Sequence, residues 1–233
     1  MNTSMQVPTI STTSKTIGTL LEDICMRSDG RETTVVACCS RAYFLKQILV
    51  HANSTSSPEV QDDTGEGAQQ RDGVVSTGAD SMIPQTPAFL LPTLLILAMS
   101  SRTTLAFCPS ITSFRGYMST LLLHHDQQSP DLRSRVIVLD MLALHHGTSE
   151  FTVQGLSRTF AMLASIHHSI NAGIQLIECN TIDESSSERG PRLWDAEVPL
   201  LSGSVKIGEA GQGWATRTIS IRKFAERWFR FEG

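Results

Sequence analysis

An aspartate closing a run of aliphatic residues, Val136-Ile137-Val138-Leu139-Asp140, is the side chain with the clearest chemical use in this sequence. At the carboxyl end of a central strand it would lie where open parallel sheets form their ligand crevice. There it could hold a metal-bound water beside phosphates, or simply cap the turn that follows. The first use needs a phosphate-cradling loop upstream, with closely spaced glycines whose N–H groups wrap a phosphate and a Lys at the helix start. Two glycine clusters exist, Gly65-Glu66-Gly67 and Gly208-Glu209-Ala210-Gly211-Gln212-Gly213, and neither leads into Lys-Ser or Lys-Thr. The run Ala37-Cys38-Cys39-Ser40-Arg41 enters its helix with neither glycine nor lysine. The chain is therefore expected not to hydrolyse ATP alone, and no cofactor is expected.

Three His pairs, His124-His125, His145-His146 and His167-His168, invite a metal reading, but adjacent side chains diverge on helices and strands. No HxxxH or HxH spacing presents two rings to one ion, so no metal site is assigned. The cysteines, Cys25, Cys38, Cys39, Cys108 and Cys179, form no CxxC pair and read as small buried hydrophobes in a reducing compartment. No GxSxG turn is present to support a Ser/His/Asp triad.

The C-terminal segment is the most nucleic-acid-like. From Trp214 to Gly233, five cations (Arg217, Arg222, Lys223, Arg227 and Arg230) face two acids and are interleaved with Trp214, Phe224, Trp228, Phe229 and Phe231. Cations that follow a phosphate backbone beside stacking rings suit single-strand binding. The blander account makes the rings the inner face of an edge hairpin and the cations its solvated face. A net charge of −4 over 233 residues argues against a wholly basic nucleic-acid protein, so such binding would be local.

The elements that must position these groups alternate. Ile17, Leu20, Leu21 and Ile24 mark a helix, Thr33–Cys39 a strand, and Phe44, Leu45, Ile48 and Leu49 one face of a second helix capped by Ser40. Residues 59–80 hold six acids against Arg71, and about 54–84 reads as a disordered insertion. Ala88–Met99 is too short to span a membrane and reads as a buried helix with Pro92 in its first turn. Thr104–Cys108 follows as a strand, then a helix carrying Phe114, Met118, Leu121 and Leu122. After the Asp140 strand comes a helix with Thr152 as N-cap, Gly173 as C-cap and Leu156, Phe160, Leu163 and Ile170 facing inward. Ile174–Cys179 is another strand, and Thr218–Arg222 with Arg227–Phe231 reads as an antiparallel hairpin. Continuous apolar strands between helices predict an α/β, three-layer fold with a mostly parallel sheet. Residues 1–14 read as a disordered lead and 15–233 as a single domain.

The order of these pieces resembles the RecA-like core of the eukaryotic recombinase paralogues. The residues that carry the resemblance are Val136–Asp140, Leu156-Ser157-Arg158, Ile174–Glu178, Gly211-Gln212-Gly213-Trp214, Thr216-Arg217 and Arg222-Lys223. It covers about residues 130 to 233, with the amino-terminal half matching by element order only, and it departs most at the Walker A loop. Paralogues without that loop are similar to the small subunits of the Shu complex. The resemblance thus implies a nuclear, non-catalytic accessory subunit of homologous recombination and DNA repair. Its partners would be RecA-like or SWIM-type subunits and DNA, with Asp140 a nucleotide-site remnant. Two alternatives share the fold: a subunit of the Elongator tRNA-modification complex, and an NTPase subunit whose site a partner chain completes.

Overall fold

The computed structural model describes residues 7–26, 31–56, 93–125, 134–170, 172–181, 189–200 and 218–232. Six strands form one parallel sheet: β1 (Thr9–Ser11), β2 (Thr33–Ala37), β3 (Thr103–Phe107), β4 (Arg135–Leu139), β5 (Gly173–Ile177) and β8 (Arg230–Glu232). Their order across the sheet is β3-β2-β4-β5-β1-β8. Val35 stands opposite Ile137 and Ile137 opposite Gln175, so the carboxyl ends of β2, β4 and β5 finish level.

Because a crossover between parallel strands is right-handed, the direction of each step decides which face its helix covers. The chain moves from β1 towards β2 and β3 through α1 (Ile17–Met26) and α2 (Arg41–Ser56), then reverses through α4 (Ile111–His125) and α6 (Val153–Ile170). Ile17, Leu20, Ile24 and Phe44 accordingly pack on the Val35, Ala37, Ile137 and Leu139 side. Phe114, Met118, Leu156, Phe160 and Leu163 pack on the Val36, Val136, Val138 and Leu176 side. The result is a three-layer α/β architecture, as the pattern of apolar runs predicts. Ser40 and Thr152 cap their helices as expected, accepting from the N–H groups of Tyr43 and Gly155 at 3.2 Å each.

Five expectations are corrected. Thr9–Ser11, inside the expected disordered lead, is a sheet strand with Ile10 fully buried, because three residues suffice when both neighbours supply hydrogen bonds. Thr218–Ser220 (β7) pairs antiparallel not with the Arg227–Phe231 segment but with β6 (Glu197–Pro199). Ile221–Ala225 turns into helix α7, which buries Ile221 and Phe224, and β8 runs parallel to β1. The apolar helix is α3 (Leu94–Ser100), and Leu94 and Leu97 are 85% and 59% exposed where a buried helix was expected. On α2, Leu45 and Leu49 point outwards while Phe44 and Ile48 pack inwards. Gly173 opens β5 and does not cap α6. The insertion expected at about 54–84 lies outside the described residues beyond Ser56. Among the described residues, no helix is long and apolar enough to cross a membrane.

The second core gathers aromatic rings around Phe160, whose centroid lies 5.3 Å from Phe229, 5.7 Å from Phe224 and 6.5 Å from Trp194. Truncating such a ring leaves a cavity that rigid neighbours cannot close. Phe160→Ala should lower unfolding free energy by about 3–5 kcal/mol in a urea titration, whereas exposed Leu49→Ala should stay within about 0.5 kcal/mol.

Candidate functional site

Asp140 follows β4 in a left-handed conformation (φ 57°), a backbone that Asp and Asn tolerate better than most residues. That turn swings its carboxylate back over the neighbouring strand end instead of onto the helix it precedes. Its Oδ1 accepts the Cys179 N–H at 2.8 Å, its Oδ2 accepts Arg189 Nη1 at 3.2 Å, and the residue is 1% exposed. The capping role open to Asp140 belongs to a different acid. Glu178, at the end of β5, accepts the N–H groups of Leu142 at 2.6 Å and Ala143 at 3.3 Å, the first turn of α5 (Met141–His145). A carboxylate suits both the unpaired donors and the positive end of a helix.

Two buried acids therefore sit at adjacent strand ends, and among the described residues the cation paired with Asp140 is Arg189, whose own side chain is partly exposed. Burial raises the Asp140 pKa to about 6 against the pull of the Cys179 N–H and Arg189. Burial, then the Asp140 charge, raises that of Glu178 well above the ordinary glutamate value. The Arg189 guanidinium lies 4.1 Å from the centre of the Tyr43 ring, in the first turn of α2. Burial also pushes the Tyr43 hydroxyl up to about 12, opposed by Arg189. The thiols around this crevice are inert: burial, then Asp140, holds Cys39 at about 12, and burial raises Cys38 and Cys179 well above normal.

The β1–α1 turn joins the same edge, and sequence reasoning missed it. Asn180 donates its N–H to the Lys15 carbonyl at 2.9 Å, and its side-chain amide to Ser14 Oγ. Thr16 caps α1, exchanging hydrogen bonds with Thr19: its N–H to Thr19 Oγ1 at 3.0 Å, and the Thr19 N–H to Thr16 Oγ1 at 3.3 Å. Lys15 Nζ pairs with Asp23 on the outside of α1, both side chains partly exposed. The turn is thus Ser14-Lys15-Thr16 between a parallel strand and a helix start, the place of a phosphate-cradling loop. The signal was a short run with two β-branched residues, Thr9-Ile10-Ser11, leading through a Lys-Thr pair into an amphipathic helix. No glycine marks it: by the motif's spacing Thr9 and Ser14 stand in the two glycine positions, and Thr9 lies within β1. From Lys15 through Asn180, Cys179, Asp140 and Arg189 to Tyr43, contacts run unbroken across the carboxyl edge from β1 to β2. Gly190 (φ 93°) lets the Arg189 segment lie on Asn180, whose Oδ1 would come within 2.8 Å of any added Cβ.

Other candidates disperse. A shallow polar depression of about 220 Å³ lies at the opposite edge, among Glu32, Thr33, Arg102, Thr104 and Ser134. It sits where parallel sheets do not place chemistry, so the strand-end geometry is the better guide. His145 is buried in the fold, with Nδ1 bonded to the Met141 carbonyl at 2.9 Å and Nε2 to Thr159 Oγ1 at 3.0 Å. Among the described residues no three His, Cys, Asp or Glu side chains cluster as metal ligands. Of the five C-terminal cations, Arg217 lies outside the described residues. Arg222 donates to Asp195 Oδ1 at 2.8 Å and covers the Phe231 ring at 4.8 Å, a bracing role. Lys223, Arg227 and Arg230 are exposed. No family model, curated protein or solved structure matches the chain.

The raised Asp140 pKa makes this carboxylate a stability cost with a definite sign. With the folded-state pKa lifted from 3.8 to about 6, protonation of this acid favours the folded protein: that stability is fully present below 3.8 and is lost as pH rises through about 6, where the buried charge becomes the cost. Asn keeps the left-handed turn and the Oδ1 acceptor without the charge. Asp140→Asn should therefore melt higher than the natural protein at neutral pH, by up to about 3 kcal/mol of unfolding free energy. The two melting curves, measured against pH, should converge below the ordinary aspartate range. Coincidence at neutral pH would mean that Arg189 balances the charge in full.

Proposed function

We propose that this protein binds a nucleoside triphosphate at the Lys15–Asp140 edge and serves as a RecA-like accessory subunit of homologous recombination. The observation that carries the reading is the placement of Ser14-Lys15-Thr16 at the start of α1 against the end of β5, one strand short of the acid that ends β4. In strand–loop–helix phosphate sites the Lys reaches the β- and γ-phosphates, the following Thr supports the cation, and the strand-end acid supports its water. Lys15, Thr16 and Asp140 are of the types these roles require. Lys15 has only to leave Asp23, a partly exposed pair of the kind worth about 0–1 kcal/mol.

Ser14 carries a Cβ where a glycine would let the backbone close on a phosphate, so the cradle is looser than one built of glycine. One feature favours binding over turnover. Glu178, the other acid of the crevice, has both oxygens committed to α5 and is not free to orient a water. A subunit that uses nucleotide to set its conformation, and partners to act, fits this arrangement and the resemblance to recombinase paralogues. The exposed Leu94 and Leu97 on α3, with Leu45 and Leu49 on α2, are apolar surface for such partners. Lys223, Arg227 and Arg230 are the cations left for DNA, and the nucleus is the compartment this role requires.

Lys15→Ala should weaken a fluorescent ATP analogue at least tenfold with the melting temperature unchanged, and steady-state turnover by the chain alone should not exceed the Asp140→Ala background. Absence of binding, or binding indifferent to Lys15, would remove the reading. For the nucleic-acid face, Lys223→Ala with Arg227→Ala should lower the salt slope of single-stranded DNA binding by about 0.7 per true phosphate contact. An unchanged slope would assign those cations to the solvated surface.

A further inference from the structure

We propose that Arg189 is a latch on the nucleotide site: resting on the Tyr43 ring, it occupies Asp140 and must be displaced before the cation accompanying a triphosphate can bind. The inference rests on the nucleotide reading above and adds its regulation. Asp140 has two oxygens and both are taken, Oδ1 by the Cys179 N–H and Oδ2 by Arg189. The backbone bond belongs to the sheet edge and has no reason to open. Only Oδ2 can be released, and a guanidinium and a divalent cation with its water shell cannot share it, since like charges at that spacing repel.

The contact is built to hold without being permanent. Asp140 is almost wholly buried, whereas the Arg189 side chain is 24% exposed and has a route outwards. The Tyr43 face, 4.1 Å from the guanidinium carbon, gives the cation a second attraction that does not depend on the carboxylate. Tyr43 stands in the first turn of α2 and Asp140 at the end of β4, so the latch ties a helix start on one face of the sheet to the acid that the opposite connection leads away from. Gly190 supplies the left-handed bend behind Arg189 that lays this segment over Asn180, beside the Lys15 turn.

A closed latch lowers apparent affinity by the fraction of molecules in which it is open. If it is open in about one molecule in ten, its removal tightens binding about tenfold. Arg189→Gln removes the cation, and Tyr43→Leu removes the platform without touching Asp140. The second variant keeps the test decisive should loss of Arg189 compromise folding.

The experiment titrates the full chain and these variants with the fluorescent ATP analogue and Mg²⁺, in natural and Asp140→Asn backgrounds. The expected result is about tenfold tighter binding by Arg189→Gln and a smaller gain by Tyr43→Leu, both vanishing in the Asp140→Asn background. A natural protein that binds poorly while Arg189→Gln binds well would support the latch more strongly still. Unchanged or weaker binding by both variants, with Lys15 still required, would overturn the latch and leave the nucleotide site standing. No binding by the natural protein or any variant would overturn both.

Discussion

Two carboxylates buried at adjacent strand ends, with backbone N–H groups as their main partners, are the constraint around which this molecule is arranged. An acid can be kept from water only where donors meet it, and here the donors come from the polypeptide itself. Cys179 supplies one to Asp140, and the first turn of α5 supplies two to Glu178. Each acid is thus satisfied by the segment following the other's strand. That exchange stitches the ends of β4 and β5 together where they would otherwise splay. It also accounts for the left-handed backbone at Asp140, which turns the carboxylate towards β5, where Arg189 offsets part of the remaining charge.

The surroundings follow from that choice. Cys38, Cys39 and Cys179 fill the space beside the acids as small buried side chains whose S–H groups are only weak donors. The aromatic core on the other face, built on Phe160 and Trp194, packs α6 and α7 against the same sheet.

Much of the architecture was legible because burial on both faces writes strands as continuous aliphatic runs. Val136–Leu139 and Ile174–Ile177 could hardly be anything else, and Leu156, Phe160 and Leu163 keep helical spacing through α6. Legibility failed where an element is short or its partner distant. Thr9–Ser11 has three residues and no apolar periodicity, and only neighbours about 165 and 220 positions away make it a strand. Thr218–Ser220 and Arg230–Glu232 share the alternation of a hairpin but find different partners, a matter of tertiary context that period two cannot encode. In the site, Asp140 was visible from its position in the strand. Glu178 read as part of a strand, and Lys15 with Thr16 was hidden by a template defined through glycine. Arg189 carried no sequence signal, because its importance lies in the ring and the acid it joins.

The position of β1 between β5 and β8 sets a timetable for the molecule. The turn bearing Lys15 follows β1, yet β5 and β8, the two strands that seat β1, lie far later in the sequence. Such distant pairings are slow to form, since the loop must close before any hydrogen bond rewards it. Until then β2, β3 and β4 can assemble on their own, adjacent in the sheet and nearer in sequence, with an unpaired β4 edge awaiting β5. The β1–α1 turn is therefore seated late in folding, and a partly folded chain would present β2, β3 and β4 without it.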